Sequence, residues 1–328
     1  MRLRSDRHGR YNFRSLRRVT LRRVIVVLVL IASAAAQTAP NTRAAKQQVL
    51  WQKLEASIAD VDRSLDGVLG VAVQDLVTGQ KYVLRGDDVF PQASSLKIAV
   101  LAELYRQAQQ GKLKLTDVYT VKASDLVADS PIMNGLTPGV TQVTLRDLAT
   151  MVVAVSDNSA ANILIDRVGI ENVNSLLDSL GLALTRLRRK MMDLKAASEG
   201  RENISTPSEM MTLLENVYRG KVLNKGLTDD FFKLLSTKKM DSFISRGLPE
   251  DLKTANKSGL LEGVRNDSGI VFLENRPYIL CVMTTYLRRE RDGEEAISKI
   301  SSDAYRMFDR VARASEYGRV ISPSNSGK

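Results

Sequence analysis

The chain has 328 residues, of which 44% are hydrophobic and 26% are charged, and this composition excludes an intrinsically disordered protein. The one cysteine excludes an intramolecular disulfide and any metal site built from several cysteines. The formal net charge of +11 suggests an anionic partner such as nucleic acid, unless the excess lies in a targeting segment.

The first 36 residues have the order of a secretory signal peptide. Nine arginines and one acid, Asp6, precede an apolar run at residues 24–31, and small residues follow as far as Ala36. The apolar segment is shorter than the roughly 20 residues that a membrane-spanning helix needs. We therefore expect residues 1–36 to be an export signal with a periplasmic or extracellular product. An uncleaved membrane anchor is the alternative, and it would be the only contact with a membrane.

Removing this segment changes both the charge and the histidine content of the chain. Residues 37–328 contain 39 basic and 36 acidic residues, a net charge of +3, so a nucleic-acid partner loses its support. The only histidine, His8, lies in the leader. A mature chain without imidazole cannot use a Ser-His-Asp, Cys-His or histidine-metal mechanism.

The first half of the mature chain predicts a helix, a hairpin and then a mainly helical region. Apolar residues recur every three or four positions over residues 42–65, which is typical of an amphipathic helix. Residues 68–76 and 81–84 predict two antiparallel strands. Residues 94–220 are mainly helical in pattern, with a long charged loop at residues 187–207. Long loops inside compact domains are commonly functional.

The last third of the chain predicts three strands and a final helix. The strands are expected at residues 252–258, 268–273 and 277–286, and the helix at residues 294–314. From about Ser315 the sequence is polar and predicts a mobile tail.

Strands at both ends with helices between them predict an α+β fold. We expect a five-stranded antiparallel sheet flanked by the terminal helices, with the central helices as a second, mainly helical lobe. Residues 37–328 would form a single domain, and the cleft between its lobes is the natural ligand site.

A serine nucleophile without histidine needs another base, and a lysine with a lowered pKa can serve. Residues three apart on a helix share a face, so Ser-x-x-Lys at a helix start presents a hydroxyl and an amine together. The mature chain contains two such tetrads, Ser94–Lys97 and Ser236–Lys239. An apolar helix follows the first and would bury Lys97, whereas the second lies in a charged stretch that is typical of a solvated surface.

Two further motifs follow the first tetrad in order. Ser156-Asp157-Asn158 closes an apolar helical run, and Lys257-Ser258-Gly259 lies on a predicted strand. Each motif alone is weak, because the first often caps a helix and the second often ends an exposed strand. Their combination with Ser94 and Lys97 on these elements indicates one active site.

These three motifs resemble those of the class A β-lactamases and the related penicillin-binding proteins. The similarity extends over roughly residues 45–312 and includes the text that surrounds the motifs, at residues 90–97, 156–162 and 205–207. The resemblance implies the β-lactamase and transpeptidase-like fold and a reaction with β-lactam amides.

The resemblance also implies three catalytic residues. Ser94 would attack the β-lactam carbonyl and form an acyl-enzyme, Lys97 would accept or organise its proton, and Ser156 would relay a proton to the ring nitrogen. The backbone N–H groups of Ser94 and Leu260 would form the oxyanion hole.

The substrate-binding residues implied by the resemblance lie on two of the motifs. Asn158 would hold the side-chain amide of the substrate. Lys257 would supply positive potential near the substrate carboxylate, Ser258 would bind that carboxylate, and Gly259 completes the motif.

The long loop departs from the family pattern. Alignment of the loop entry places Met191 where the family has the Glu that activates water for deacylation, and Lys195 where it has an Asn that helps to hold that water. A thioether cannot abstract a proton. The Arg–Asp pair at the neck of the loop is also altered, with Asn203 opposite Arg189.

Three acids of the same loop, Asp193, Glu199 and Glu202, are candidate replacements for the missing base. Asp193 is the best of them because it lies two residues from Met191. The alternative is that all three are ordinary solvated loop acids.

The sequence therefore predicts an exported, monomeric serine hydrolase of the class A β-lactamase type, with no metal and no cofactor and with slow deacylation. Its partner would be a small-molecule β-lactam or a peptidoglycan stem peptide, and not nucleic acid. A peptidoglycan D,D-peptidase and a catalytically idle cell-wall or β-lactam-binding domain are the alternatives.

Overall fold

The computed structural model describes residues 42–320, so the predicted signal peptide and the end of the predicted tail lie outside the described residues. The chain divides into one unit that ends at Gln48 and a second that begins at Val49. The sheet, the helical lobe and the cleft all belong to the second unit.

The secondary structure elements follow each other in the predicted order. The strands are β1 Val68–Asp75, β2 Lys81–Leu84, β3 Phe90–Pro91, β4 Val118–Thr120, β5 Gln142–Thr144, β6 Ile204–Ser205, β7 Thr254–Leu261, β8 Val264–Val271 and β9 Tyr278–Thr285. The helices are α1 Thr42–Ser64, α2 Lys97–Gln109, α3 Leu145–Ala154, α4 Asn158–Val168, α5 Ile170–Ser179, α6 Leu194–Ser198, α7 Pro207–Tyr218, α8 Lys225–Leu235, α9 Phe243–Arg246 and α10 Glu290–Arg313.

The predicted five-stranded antiparallel sheet is confirmed. Its strand order is β2-β1-β9-β8-β7, so the two early strands pair with the three late ones through β1 and β9. β7 is an edge strand, and the ladder with β8 sets Lys257 opposite Ser268. An edge strand leaves half of its backbone N–H groups free of the ladder, and these can serve a ligand.

Both faces of the sheet are covered by helices. Leu69, Val71 and Val73 of β1 pack with α1 and α10 on one face, whereas Ala72 packs in the core of the helical lobe on the other. Such alternation follows from the two-residue period of a strand. The helical lobe is centred on α2, which is buried along most of its length and contacts α4, α5 and α8.

The structure differs from the predicted boundaries by two or more residues at three late elements. β7 spans Thr254–Leu261 instead of residues 252–258, so it includes Gly259 and Leu260. β8 begins at Val264 instead of residue 268. The sequence pattern missed its first residues because Asn266 and Asp267 are polar, although both are fully buried in the fold.

α10 begins at Glu290 instead of residue 294. The first turn of α10 is charged and therefore shows no apolar period in the sequence. Its acidic residues, Glu290 and Asp292, interact favourably with the positive end of the helix dipole.

The predicted loop at residues 187–207 is partly ordered into secondary structure. It contains the short helix α6 and the strand β6, which pairs with β3 a few residues before Ser94. At the other end of the chain, the Ser315 N–H donates to the Arg319 carbonyl at 2.9 Å and closes a turn in the first part of the predicted tail. No helix among the described residues is both long and apolar enough to cross a membrane.

Candidate active site

The predicted nucleophile lies in a 3₁₀ turn that leads directly into α2. Ser94 is half-buried in the turn Ala93–Leu96, and Ala93 has a left-handed φ of +49° that reverses the chain just before the serine. The Gln92 carbonyl accepts hydrogen bonds from the Ser95 N–H at 3.1 Å and from the Ser95 hydroxyl at 2.7 Å. The backbone of the turn that carries Ser94 is therefore fixed by buried hydrogen bonds.

Lys97 is fully buried at the first position of α2. Its Nζ donates to the Ser156 carbonyl at 2.6 Å and to Asn158 Oδ1 at 2.8 Å, and it lies 3.3 Å from Ser156 Oγ. Burial lowers the pKa of Lys97 well below its usual value, Lys257 lowers it further, and Asp157 opposes both effects. A lowered pKa increases the neutral fraction of the amine, which is the form that can accept a proton.

The Ser156-Asp157-Asn158 motif connects α3 to α4 and forms one wall of the site. Ser156 has a left-handed φ of +59°. Asp157 is fully buried and does not face the cleft, because its carboxylate accepts from the Ala160 N–H at 3.0 Å, the Ile132 N–H at 3.1 Å and the Met133 N–H at 2.9 Å. Asp157 therefore caps α4 and holds the wall in place, while its neighbours supply the functional groups.

Lys257 reaches the same serine from the opposite side. Its Nζ donates to Ser156 Oγ at 3.0 Å and to the Ser258 carbonyl at 2.9 Å. The hydroxyl of Ser258 donates to the Asp241 carbonyl at 2.9 Å. The structure thus brings Lys97, Ser156 and Lys257 into one continuous set of contacts, with the Ser156 hydroxyl between two amines.

The charge of Lys257 is set by its burial and by three neighbouring charged groups. The pKa of Lys257 is lowered to about 8, chiefly by burial and to a smaller extent by the nearby amine of Lys239. The carboxylates of Asp267 and Asp241 raise it. Lys257 therefore remains mostly cationic at neutral pH.

Gly259 allows the edge strand β7 to lie directly against the turn at Ala93–Leu96 that carries Ser94, called here the nucleophile turn. A Cβ added at this position would lie 2.4 Å from the Gln92 carbonyl oxygen and 2.9 Å from the Ser95 nitrogen, both of them backbone atoms. The next residue, Leu260, lines the same cleft as Ser94. The oxyanion hole implied for the backbone N–H groups of Ser94 and Leu260 remains a prediction that this close approach supports.

The cleft beside Ser94 has a volume of about 530 Å³. Lys97 and Lys257 lie behind its surface, and the Ser156 hydroxyl and the Asn158 side chain stand in front of them. Its lining comprises Ala93, Ser94, Asp129, Pro131, Val155, Ser156, Asn158, Arg189, Met191, Met192, Leu194, Asn203, Asp241, Leu260 and Leu261.

Met191 faces the cleft from the long loop. It is 6% exposed, and its backbone is clamped by Asn162, which accepts from the Met191 N–H at 2.8 Å and donates to the Met191 carbonyl at 3.1 Å. Lys195, at the second position that departs from the family pattern, is exposed on α6 and does not line the cleft. The long loop therefore contributes Met191, a thioether residue, to the lining of the cleft that contains Ser94.

The three acids proposed as substitute bases have other partners. Asp193 is exposed and caps α6 by accepting from the Ala196 N–H at 3.0 Å. Glu199 pairs with Arg201, and Glu202 accepts from Arg189 at 2.7 Å. None of the three lines the cleft. Its position two residues from Met191 made Asp193 the best candidate for the base. Its carboxylate instead caps α6, and Asp193 is not among the residues that line the cleft.

The neck of the loop is held by amide hydrogen bonds. Asn203 is buried, accepts from the Arg188 N–H at 2.8 Å and the Arg189 N–H at 3.1 Å, and donates to the Arg189 carbonyl at 3.1 Å. Its own carbonyl accepts from the Gln92 N–H at 2.8 Å. The loop is thereby joined to the turn at Ala93–Leu96 that carries Ser94. The ionic partner of Arg189 is Glu202 and not the residue at position 203.

Sequence reasoning missed the electrostatic role of Lys239. The second tetrad is not a catalytic pair, because Ser236 donates its hydroxyl to the Phe232 carbonyl at 2.7 Å. Lys239 nevertheless is not solvated as expected: it donates to the Thr237 carbonyl at 2.9 Å, and burial lowers its pKa to about 8. A charged stretch of sequence carries no sign that one of its amines turns inward.

Among the described residues, no group of three or more His, Cys, Asp or Glu side chains could hold a metal ion.

Comparison with known proteins places these features in a family context. A family described as the beta-lactamase enzyme family matches residues 52–308. Beta-lactamase SME-1 of Serratia marcescens is 29% identical over 264 residues, which cover 77% of this chain and 88% of that protein. An ancestral class A beta-lactamase has a TM-score of 0.72 at 28% identity and covers 78% of this chain and all of that one. A mutant of PBP-A, solved as an acyl-enzyme complex with penicillin G, shares the fold, with a TM-score of 0.71 at 23% identity over 78% of this chain and 95% of that one.

Proposed function

Because the chain belongs to the beta-lactamase enzyme family, we propose that it is a serine hydrolase that opens β-lactam amides through an acyl-enzyme on Ser94. The observation that carries this proposal is the line of contacts from Lys97 through Ser156 to Lys257, with Ser156 lining the same cleft as Ser94. These hydroxyls and amines are the groups that acylation and protonation of the leaving nitrogen require.

In the proposed acylation, Ser94 Oγ attacks the carbonyl carbon of the ring while its proton passes to the neutral amine of Lys97. The negative charge that develops on the carbonyl oxygen is stabilised by the backbone N–H groups of Ser94 and Leu260. The ring C–N bond then breaks, and its electron pair takes a proton from the Ser156 hydroxyl. Lys97, 3.3 Å from that hydroxyl, can return the proton to it.

The other end of the cleft binds the substrate carboxylate in this proposal. Lys257 supplies positive potential, and the Ser258 hydroxyl exchanges its present acceptor, the Asp241 carbonyl, for the ligand carboxylate. The Asn158 side chain, which accepts from Lys97 through Oδ1, holds the amide of the ligand side chain.

Deacylation is proposed to be slow. It needs a base that takes a proton from the attacking water, and Met191 stands in the cleft where that base would act. The carboxylates of Asp193, Glu199 and Glu202 are engaged outside the lining of the cleft. The acyl-enzyme should therefore accumulate.

Intact-protein mass spectrometry after incubation with penicillin G tests both steps. We expect an adduct of the mass of one penicillin that persists over hours, loss of this adduct in Ser94→Ala, and an unchanged adduct in Ser236→Ala, the serine of the other Ser-x-x-Lys tetrad. Rapid turnover of a chromogenic cephalosporin without an adduct would contradict slow release. Absence of any adduct would contradict the acyl-enzyme itself and would favour an idle binding domain.

A peptidoglycan-directed D,D-peptidase is the second candidate, and the Met191 side chain in the cleft favours it. A stem peptide that ends in D-Ala-D-Ala presents a carboxylate and an amide bond, as a β-lactam does, and the Lys257 and Ser258 end of the cleft would bind that carboxylate. Release of D-alanine from such a peptide by the wild type, and not by Ser94→Ala, would establish this activity.

We also propose that residues 1–36 are removed on export to the periplasm or the exterior, and that residues 37–328 act as one monomeric domain. The order of basic, apolar and small residues in the leader supports cleavage after Ala36. N-terminal sequencing of the secreted protein would show Gln37 as its first residue. Retention of the leader in a membrane fraction would instead indicate an anchor.

A further inference from the structure

A buried asparagine of the sheet bonds the segment that leads into the nucleophile turn. Asn266 is fully buried on β8, and its Nδ2 donates to the Pro91 carbonyl at 2.7 Å. Pro91 ends β3 just before the turn begins, so this bond ties the sheet to the chain that carries Ser94. Gln92 Nε2 also reaches the sheet, at 3.1 Å from Met283 Sδ, but a thioether sulfur is only a weak acceptor.

The orientation of the Asn266 amide follows from its two partners. Its Oδ1 accepts from the N–H of Thr284 on β9 at 3.1 Å. A backbone N–H can only donate and a carbonyl can only accept, so one arrangement of the amide satisfies both neighbours. Loss of the amide would leave the Pro91 carbonyl and the buried Thr284 N–H without these partners, which costs free energy.

Asn266 is the ladder partner of Gly259, the residue that lets β7 approach the nucleophile turn. Ladder partners place their side chains on the same face of a sheet. The contacts agree with this register, since Asn266 bonds the Pro91 carbonyl and a Cβ at Gly259 would meet the next carbonyl, that of Gln92. The glycine permits the close approach, and the asparagine supplies a bond that holds it.

The long loop holds the same segment from its other side. β3 pairs with β6, and the Gln92 N–H donates to the Asn203 carbonyl at 2.8 Å. Loss of the Asn266 bond would keep these loop contacts and weaken only the tie to the sheet. The resulting shift would change the separation of Ser94 from Leu260 on β7.

We infer that Asn266 is a positioning residue of the proposed acylation, which sets the separation of the Ser94 and Leu260 backbone N–H groups by holding the Pro91 carbonyl against the sheet. The oxyanion hole rests on the proposed function, whereas the anchoring of the turn does not. An oxyanion hole acts on the charge that develops in the transition state and not on the bound substrate. Loss of Asn266 should therefore slow acylation without weakening the initial binding of the substrate.

The dependence of the acylation rate on penicillin G concentration, followed by quenched mass spectrometry, separates these two quantities. Asn266→Leu keeps the branched shape of the side chain and removes both hydrogen bonds. We expect its limiting acylation rate, per folded molecule, to fall about 10²-fold, while the half-saturating concentration changes by less than about twofold. An unchanged limiting rate, or a loss that is explained by a higher half-saturating concentration, would overturn the inference.

Asn216→Leu is the matched control. Asn216 is also buried, and its Nδ2 also donates to a backbone carbonyl, that of Thr212 at 2.9 Å, but this bond lies within α7. Its variant should keep the wild-type limiting rate, and an equal fall in both variants would indicate general destabilisation and contradict the role of Asn266. If Asn266→Leu does not fold, Asn266→Ala and Asn216→Ala make the same comparison.

Hydrogen exchange tests the anchoring without any reaction. The Ser95 N–H closes the nucleophile turn on the Gln92 carbonyl at 3.1 Å. Exchange in peptides that cover residues 90–97, read by mass spectrometry, should be faster in Asn266→Leu and unchanged in Asn216→Leu. If the wild type forms no adduct with penicillin G, the proposed function fails, and the exchange rates still decide whether Asn266 holds the turn. Equal exchange in the wild type and Asn266→Leu would contradict that role.

Discussion

At the scale of single residues, the proposed slow deacylation depends on Met191, which lines the cleft together with Ser94. Met191 has its backbone clamped by Asn162, so a substituted side chain at this position would keep the same direction. We predict that Met191→Glu increases the steady-state hydrolysis of a chromogenic cephalosporin by about 10²-fold or more, because general-base catalysis contributes roughly that much.

Met192 offers a matched control for this gain. It also lines the cleft, but it has a left-handed φ of +62° and is more exposed than Met191. Met192→Glu adds the same charge to the same loop and should leave turnover low. Equal gains in both variants would indicate a general effect of charge, and no gain in Met191→Glu would contradict the position assigned to the missing base.

The pH dependence of acylation follows from the lowered pKa of Lys257, which is about 8. A lysine loses its charge as the pH rises through its pKa, so the positive potential for the substrate carboxylate is present below about pH 8 and lost above it. Lys97 only becomes a better proton acceptor as the pH rises. We predict that acylation by penicillin G, measured by stopped-flow or quenched mass spectrometry, declines about tenfold per pH unit on the alkaline side.

Lys257→Arg separates the charge from its titration, since a guanidinium stays protonated throughout this range. The alkaline decline should disappear in this variant, even if its acylation rate is lower at every pH. A decline that persists unchanged in Lys257→Arg would assign the titration to another group.

At the scale of elements, the site depends on how closely β7 approaches the nucleophile turn. In Gly259→Ala, the added Cβ would meet the Gln92 carbonyl oxygen and the Ser95 nitrogen, and neither backbone atom can turn aside. We predict that β7 and the turn separate, and that acylation slows by about 10²-fold, the usual consequence of a shift of about 1 Å at a reaction centre.

Gly135→Ala is the control for this substitution. Gly135 has no heavy atom within 4 Å of its added Cβ and no positive φ, so its variant should acylate like the wild type. The melting temperatures of both variants should be measured first, because a folded but slowly acylated Gly259→Ala protein is the expected result. Normal acylation in that protein would show that the close approach is not required.

Elements with a clear apolar period could be predicted from the sequence, and charged ones only in part. The hairpin of β1 and β2, the helix α1 and the position of Ser94 before an apolar helix all follow from local patterns. The first residues of β8 and the inward turn of Lys239 do not, because their polar side chains are buried by tertiary hydrogen bonds and charges. The sequence also does not show whether the Asp193 carboxylate acts as a catalytic base or caps a helix, because both roles use the same side chain.

At the scale of the whole molecule, the sheet separates two cores that serve different purposes. The terminal helices cover one face through Phe308, which stacks on Tyr278 with ring centroids 4.2 Å apart and meets the edge of Trp51 at 5.5 Å. The nucleophile helix α2 and the long loop lie with the other core, which includes Met191. A change in the core beneath the terminal helices should therefore alter the stability of the protein without altering the rate of acylation.

We predict that Phe308→Ala lowers the free energy of unfolding by about 3–5 kcal/mol, because it removes the aromatic stack and leaves a cavity between α10 and the sheet. Urea unfolding followed by Trp51 fluorescence would measure this loss, and Phe308→Leu, which leaves a smaller cavity, should lose less. The acylation rate of each variant in buffer, per folded molecule, should equal that of the wild type, since the stack lies across the sheet from Ser94. Acylation that falls in proportion to stability would show that the two cores are mechanically coupled through the sheet.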